Sequence, residues 1–221
     1  MTHKQRAAEA FAQRLHQKIP LSPALQSAFG SIPRELFVPP GFGRMAYELE
    51  AMPMGANQWL SSPVTVARMT LALKPETGDS VLEIGCGSGY QAAILAKLFR
   101  RVFTVERIER LLLEAKGRFK SLGLINVHTR LADGNEGWKQ YGPFDRILLS
   151  CECAQVPQTL FDQLEEGGIL VAPVNGNVVR HTKHKGGRIE KEILENCQFV
   201  PLLSGVERIS QPANGQVILW V

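Results

Sequence analysis

Several things are scarce in this chain, and each scarcity excludes something. No apolar run approaches the roughly 18 residues needed to cross a bilayer, so no membrane span is expected. Cysteine is sparse: Cys86, Cys151, Cys153 and Cys197 are the only four. They are too scattered for a disulfide framework, and a chain of 221 residues can bury enough apolar surface without one. They read as reduced thiols, the state expected in the cytoplasm. Long runs of Lys or Arg are missing, although the net charge is +4. Nucleic-acid binding is therefore not demanded, and the mild positive bias suits an anionic substrate. The first residues, MTHKQRAAEAFAQRL, contain no apolar h-region, so no secretory signal is expected there. No internal repeat or low-complexity tract occurs. No Ser-His-Asp set or paired carboxylates stand out as general acid–base machinery.

What is present is strongly patterned. Phe11, Leu15 and Ile19 recur every fourth residue and predict a helix over 4–19. A short helix over 22–31 follows, closed by Pro33. Residues 34–63 are irregular and rich in Pro and Gly, and such long segments inside compact domains are usually functional. At SPVTVARMTLALKP a helix begins, with Ser62 as N-cap and Pro63 at its first position. Strands and helices then alternate. SVLEIG, RVFTVER, VHTRLAD, DRILLSC and ILVAPV read as strands. SGYQAAILAKLF, RIERLLLEAKGRFKSLG and PQTLFDQLEEGG (157–168) read as helices. Such alternation predicts a doubly wound, mostly parallel α/β sheet covered on both faces. Residues 177–197 read as an antiparallel hairpin around KGG, QFVPLL (198–203) as a further strand, and GQVILWV (215–221) as a last one.

The strongest local signal is VLEIGCGSGYQ, residues 81–91, where a strand hands over to a helix. Gly85, Gly87 and Gly89 let the backbone turn tightly and let a ligand lie against it. The helix beginning near Tyr90 is expected to turn its N–H groups toward the same place. The spacing is G-x-G-x-G, with Glu83 two residues before the first glycine, and not the G-x-G-x-x-G of dinucleotide binders. Glu106 and Asp133 end the next two strands. Three acids at successive strand ends would gather on the carboxyl edge of the sheet, where open α/β sheets bind ligands. Taken singly, Glu106 or Asp133 would equally suit a solvated loop acid or a helix cap.

The glycine segment resembles motif I of the class I S-adenosylmethionine-dependent methyltransferases, which implies a Rossmann-like fold with S-adenosyl-L-methionine as cofactor and S-adenosyl-L-homocysteine as product. The resemblance implies that Glu106 accepts the ribose hydroxyls. It also implies that Asp133 meets the adenine amino group, with Gly134 giving room. A closer resemblance covers roughly residues 25–203. IPRELFVPPGF, AYELEAMPMG, VLEIGCGSGYQAAILA, VFTVERI, DGNEGW, YGPFDRILLS and QFVPL together resemble the protein-L-isoaspartate O-methyltransferases. That family methylates the α-carboxylate of L-isoaspartyl residues, so isoaspartyl peptides and proteins become the expected partners. By the same resemblance GANQWLSSP covers the cofactor, with Gln58 and Leu60 among its contacts together with Arg107. Ser61 is then the catalytic residue, orienting the acceptor carboxylate or the methyl donor; capping the next helix is its other possible job. The chain departs from the family pattern in three places. Trp59 stands where a threonine is usual, Leu49 where an acid is usual, and CECAQVP where a small, alanine-rich stretch is usual. All three are expected round the substrate pocket, and Trp59 would suit a lid.

The resulting expectation is three parts: a covering segment over 1–61, a catalytic core over 62–203, and an extension of the same domain over 204–221. The last strand is expected to add a sheet edge or a contact between copies of the chain. A carboxylate acceptor is already ionised at neutral pH and needs no general base, in keeping with the lack of one. No metal is expected, because Cys-Glu-Cys has the wrong spacing for zinc pairs. The basic residues of RHTKHK alternate along a hairpin without aromatics and read as a solvated strand face. Three alternatives stay open on sequence grounds: another carboxylate acceptor, an RNA acceptor, or cofactor binding without turnover.

Overall fold

The structure is a computed structural model that describes residues 3–209. It opens with two helices, α1 (His3–Lys18) and α2 (Pro23–Ser31). Ala8, Phe11, Ala12 and Leu15 put one apolar face of α1 into the core. The Ser22 hydroxyl accepts from the Leu25 N–H and starts α2, with Pro23 at its first position. After an irregular stretch come two short strands paired antiparallel, β1 (Met52–Pro53) and β2 (Trp59–Leu60). Helix α3 (Pro63–Ala72) begins where the Ser62 hydroxyl accepts from the Thr65 N–H at 3.1 Å.

The main sheet follows. Strands β3 (Ser80–Ile84), β4 (Arg101–Glu106), β5 (Val127–Leu131), β6 (Phe144–Leu149) and β7 (Leu164–Val174) run parallel. β8 (Asn177–Lys183) and β9 (Ile189–Asn196) are antiparallel additions. The spatial order is β5-β4-β3-β6-β7-β8-β9. Helices α4 (Tyr90–Leu95), α5 (Glu109–Ser121) and α6 (Gln158–Asp162) lie in the crossovers after β3, β4 and β6. β3 is buried along its whole length, polar Ser80 and Glu83 included, as its place at the centre of a covered sheet requires. The edge strand β5 instead alternates exposed and half-buried residues.

Alternate strand residues serve opposite layers. Val81 packs with α1, α2, α3 and α4 in one core, while Leu82 and Ile84 pack with Phe103, Phe144 and Leu160 in the other. The N-terminal helices are thus part of the layer that covers one face of the sheet. From β3 the chain winds outward through β4 and β5, then returns to place β6 on the other side of β3. A crevice must open at the carboxyl ends where the winding reverses.

Two elements differ from the sequence expectation. The helix expected over 157–168 ends at Asp162, and Leu164–Gly168 already belong to β7. The Gln163 carbonyl is taken by the Phe144 N–H, and Leu164 pairs with Phe144, so the sheet claims this backbone. Gly167 and Gly168 are poor helix formers and offer no resistance. Residues 198–203 form no strand of the sheet; an isolated bridge joins Pro201 to Glu152, in the segment after β6. The strand expected over 215–221 lies outside the described residues.

Candidate functional site

The crevice is real: a cleft of about 950 Å³, counted to its open mouth, at the carboxyl ends of β3, β4 and β6. Its floor comes from Ile84 to Ser88, Val105 to Ile108, and Ser150 with Cys151. Gln58, Trp59, Leu60 and Ser61 form one wall, joined by Thr65, Val66 and Met69 of α3. Phe199 to Leu203 form another wall, with Gly134 beside them.

The glycine loop is fixed by its own backbone and by one acid. The Gly85 and Cys86 N–H groups both donate to the Val105 carbonyl, and Gly89 N–H donates to Cys86. Glu106 closes the loop: one carboxylate oxygen accepts from the Gly87 N–H at 2.8 Å and the other from the Ile108 N–H at 2.9 Å. Burial raises the Glu106 pKa, and those N–H groups oppose the rise by stabilising the anion. Each oxygen keeps a lone pair for a ligand donor. Gly89 has φ +87°, and a Cβ there would lie 2.8 Å from the Phe119 ring. Only glycine fits that turn. Gly134 is needed for space, since a Cβ would come within 2.5 Å of Ile84.

Glu83 lies one layer below the cleft. It is fully buried, accepts from the Thr104 hydroxyl, and stands 3.5 Å from the Ser150 hydroxyl. Burial pushes its pKa up to about 8, with nearby Glu106 adding to the rise. Asp133 stands beside the cleft without lining it. One carboxylate oxygen accepts from the Asn135 backbone and side-chain N–H groups, the other from the Gly205 N–H at 2.6 Å. Burial would raise its pKa, but these donors hold it below the usual carboxylate value. Arg107 lines the cleft and is held by the C-terminal segment: its Nε donates to the Gly205 carbonyl, and Glu207 is 3.7 Å away.

The opposite wall is held differently. Ser62, not Ser61, caps α3, so capping leaves the Ser61 hydroxyl unclaimed. Behind Ser61 sits Arg34, which is completely buried. Its guanidinium donates to the Ala46 carbonyl at 2.7 Å and to the Ser61 carbonyl at 3.1 Å, and lies 5.5 Å from the centre of the Tyr90 ring. Burial lowers its pKa, and among the described residues no carboxylate pairs with it.

Of the residues singled out in the sequence, Gln58, Leu60, Ser61, Gly85, Gly87, Glu106, Arg107 and Gly134 line one cleft. Glu83, Gly89 and Asp133 support it from below and beside. Of the three departures, Trp59 and Cys151 line the cleft, whereas Leu49 packs against the apolar core. Sequence reasoning missed Arg34, Ile108 and the 199–203 wall. Among the described residues, no group of three or more His, Cys, Asp or Glu is placed to hold a metal ion, and no helix is long and apolar enough to cross a membrane. Three of the basic hairpin residues are engaged within the fold: Arg180 with Glu192, His184 with Glu190, and Lys183 with the Phe161 and Leu164 carbonyls.

Comparison with known proteins places this architecture. The family model described as protein-L-isoaspartate(D-aspartate) O-methyltransferase matches residues 5–207. The protein-L-isoaspartate O-methyltransferase of Helicobacter pylori (strain G27) is 53% identical over 199 residues, spanning 88% of this chain and 95% of that protein. That of Vibrio cholerae (serotype O1, strain M66-2) is 47% identical over 202 residues, spanning 90% and 96%. A solved protein-L-isoaspartate O-methyltransferase superposes with a TM-score of 0.81 at 26% identity, over 90% of this chain and 67% of that one. A putative Plasmodium falciparum protein-L-isoaspartate O-methyltransferase, solved in complex with S-adenosyl-L-homocysteine, shares the fold at a TM-score of 0.77 and 19% identity, over 90% and 99%.

Proposed function

The chain belongs to the protein-L-isoaspartate(D-aspartate) O-methyltransferase family, and on that basis we propose that it transfers a methyl group from S-adenosyl-L-methionine to the α-carboxylate of L-isoaspartyl residues in damaged proteins. One observation carries the proposal beyond membership. A single cleft has Glu106, fixed by two backbone N–H groups, on one side and Ser61, relieved of capping, on the other.

The cleft suits the cofactor. It has the volume of a small-molecule site, an apolar lining from Ile84, Ile108 and Leu202, and a backbone loop without side chains where Gly85 and Gly87 pass. Glu106 would take the ribose hydroxyls on its free lone pairs. Gln58, Leu60, Gly85, Gly87, Arg107 and Gly134 would surround the rest. Glu83 would hold the floor through Thr104 and Ser150, Gly89 would keep the loop turned, and Asp133 would brace the adenine end. When bound, the cofactor supplies a sulfonium methyl, which an ionised acceptor oxygen takes in line while the C–S electron pair stays on sulfur.

The protein's share is orientation and shielding. The acceptor is an anion at neutral pH, so no residue need remove a proton. The Ser61 hydroxyl would donate to one carboxylate oxygen and leave the other free to react. Arg34 places a buried positive charge behind that serine, which favours an anion there because the surroundings screen it poorly. With substrate in place, the walls at 58–61 and 199–203 would shield the reacting groups from water, which would strengthen both interactions. In the same proposal, residues 1–61 act as the cover, 62–203 as the core and 204–221 as an extension through which copies could associate. Four free thiols suit a reducing compartment such as the cytoplasm.

The test uses labelled S-adenosyl-L-methionine and two peptides that differ only in isoaspartyl or aspartyl at one position. Base-labile label on the isoaspartyl peptide alone is expected. No label on either, from protein that binds the cofactor, would refute the proposal.

A further inference from the structure

Trp59 is the unusual residue of the site. The residue is 57% exposed, yet it lines the cleft. Lone exposed apolar residues are normal on protein surfaces and need no explanation. This one is different because its position is imposed. Trp59 pairs with Pro53 and Leu60 with Met52, and the Met54 N–H donates to the Gln58 carbonyl at 2.7 Å, so the backbone beneath the indole is fixed. Leu60 is buried, and in an extended segment alternate residues share a face. Trp59 and Ser61 therefore look out on the same side, about 7 Å apart along the chain. No hydrogen bond or ring contact reaches the indole among the described residues. Leu203, on the facing wall, is also half exposed and lines the same cleft.

A substrate whose carboxylate sits at Ser61 has its next residue one Cα step away, about 3.8 Å for an ordinary peptide and somewhat more for an isoaspartyl link. That neighbour's side chain comes within reach of the indole. Charged groups at the rim offer it less. Arg107 is engaged by Gly205 and Glu207, and Arg110 stands 4.0 Å from Glu114. Trp59 and Leu203 present exposed apolar surface from the two walls.

We propose that Trp59, with Leu203 opposite, receives the side chain adjacent to the isoaspartyl residue, so that this enzyme favours isoaspartyl sites flanked by an aromatic or large aliphatic residue. The inference rests on the methyltransferase activity proposed above and names the substrate class within it. It also gives the departure at position 59 a use: a broad apolar face replaces a small hydroxyl where the substrate chain must pass.

The experiment compares isoaspartyl peptides with Gly on both sides, with Phe before the isoaspartyl residue, and with Phe after it. Wild-type protein should show a KM about tenfold lower for one of the Phe peptides than for the Gly peptide, the size of one aromatic contact. In Trp59→Ala and Trp59→Thr that ratio should fall to about twofold or less, and Trp59→Phe should restore most of it. Equal KM values for all three peptides in the wild type, or a preference that survives in Trp59→Ala, would overturn the inference while leaving the activity standing. No methyl transfer to any isoaspartyl peptide, from protein that binds the cofactor, would remove the activity and this inference with it.

Discussion

The glycine loop and the segment 54–62 face each other across one cleft, and they are held in place by different means. The loop is built into the sheet. Its N–H groups are satisfied by the Val105 carbonyl and the Glu106 carboxylate, and Gly89 packs directly on Phe119. The segment opposite rests on a two-residue hairpin and one buried arginine, and it carries a half-exposed tryptophan. A change in the loop therefore disturbs the fold and the cofactor together. A change in the segment opposite can alter the acceptor while the fold stands.

The largest effect that would test this contrast is expected at Gly89. Gly89→Ala puts a Cβ into Phe119 at a positive φ, and should cost roughly 2–4 kcal/mol in urea denaturation along with cofactor binding. Wild-type stability in that variant would mean that the loop is looser than described. Glu106→Ala comes next. It removes the acceptor for the Gly87 and Ile108 N–H groups and the group proposed to take the ribose hydroxyls, so calorimetry should find cofactor affinity lowered by about 10- to 100-fold. Equal affinity would refute the ribose role. On the other wall, Arg34→Met should lower kcat/KM for an isoaspartyl peptide about tenfold, with cofactor affinity changed by less than about threefold. Parallel loss of both would show that Arg34 supports the whole cleft and not the Ser61 side alone.

A separate effect, on stability alone, concerns pH. The folded-state pKa of Glu83 is raised to about 8 from an ordinary 4.5, so the native protein keeps a proton that the unfolded chain releases between those values. The stability this gives is complete below the unfolded pKa and is lost as pH rises through the folded one. Glu83→Gln mimics the protonated form at every pH. Measured against that variant, the wild-type Tm should fall between about pH 5 and 8. Parallel curves would mean that Glu83 does not titrate in this window.

The loop side of the cleft was legible in the sequence because it follows from local pattern. Runs rich in apolar residues mark β3, β4 and β6, and the glycine spacing marks the turn between β3 and α4. The other side depends on contacts distant in sequence. Arg34 in IPREL looks like a surface charge until the fold brings it the carbonyls of Ala46 and Ser61, 12 and 27 residues away. Residues 199–203 look like a strand, but Pro201 lacks an N–H, and the segment is anchored through Glu152 on either side of it. Asp133 shows the same limit. Its place at a strand end was legible, but its engagement with Asn135 and Gly205 required the C-terminal segment to be in position. Leu49 packs against the apolar core and does not line the cleft, which no local signal announces.

Ser61→Ala separates the two walls most directly, with cofactor affinity and methyl transfer to an isoaspartyl peptide measured on the same preparation. Affinity within about threefold of wild type with turnover down at least about tenfold is the expected result, since the proposal gives the hydroxyl to the acceptor and Ser62 keeps α3 capped. Unchanged turnover, or a loss of affinity matching the loss of turnover, would contradict the assignment of that wall to the acceptor.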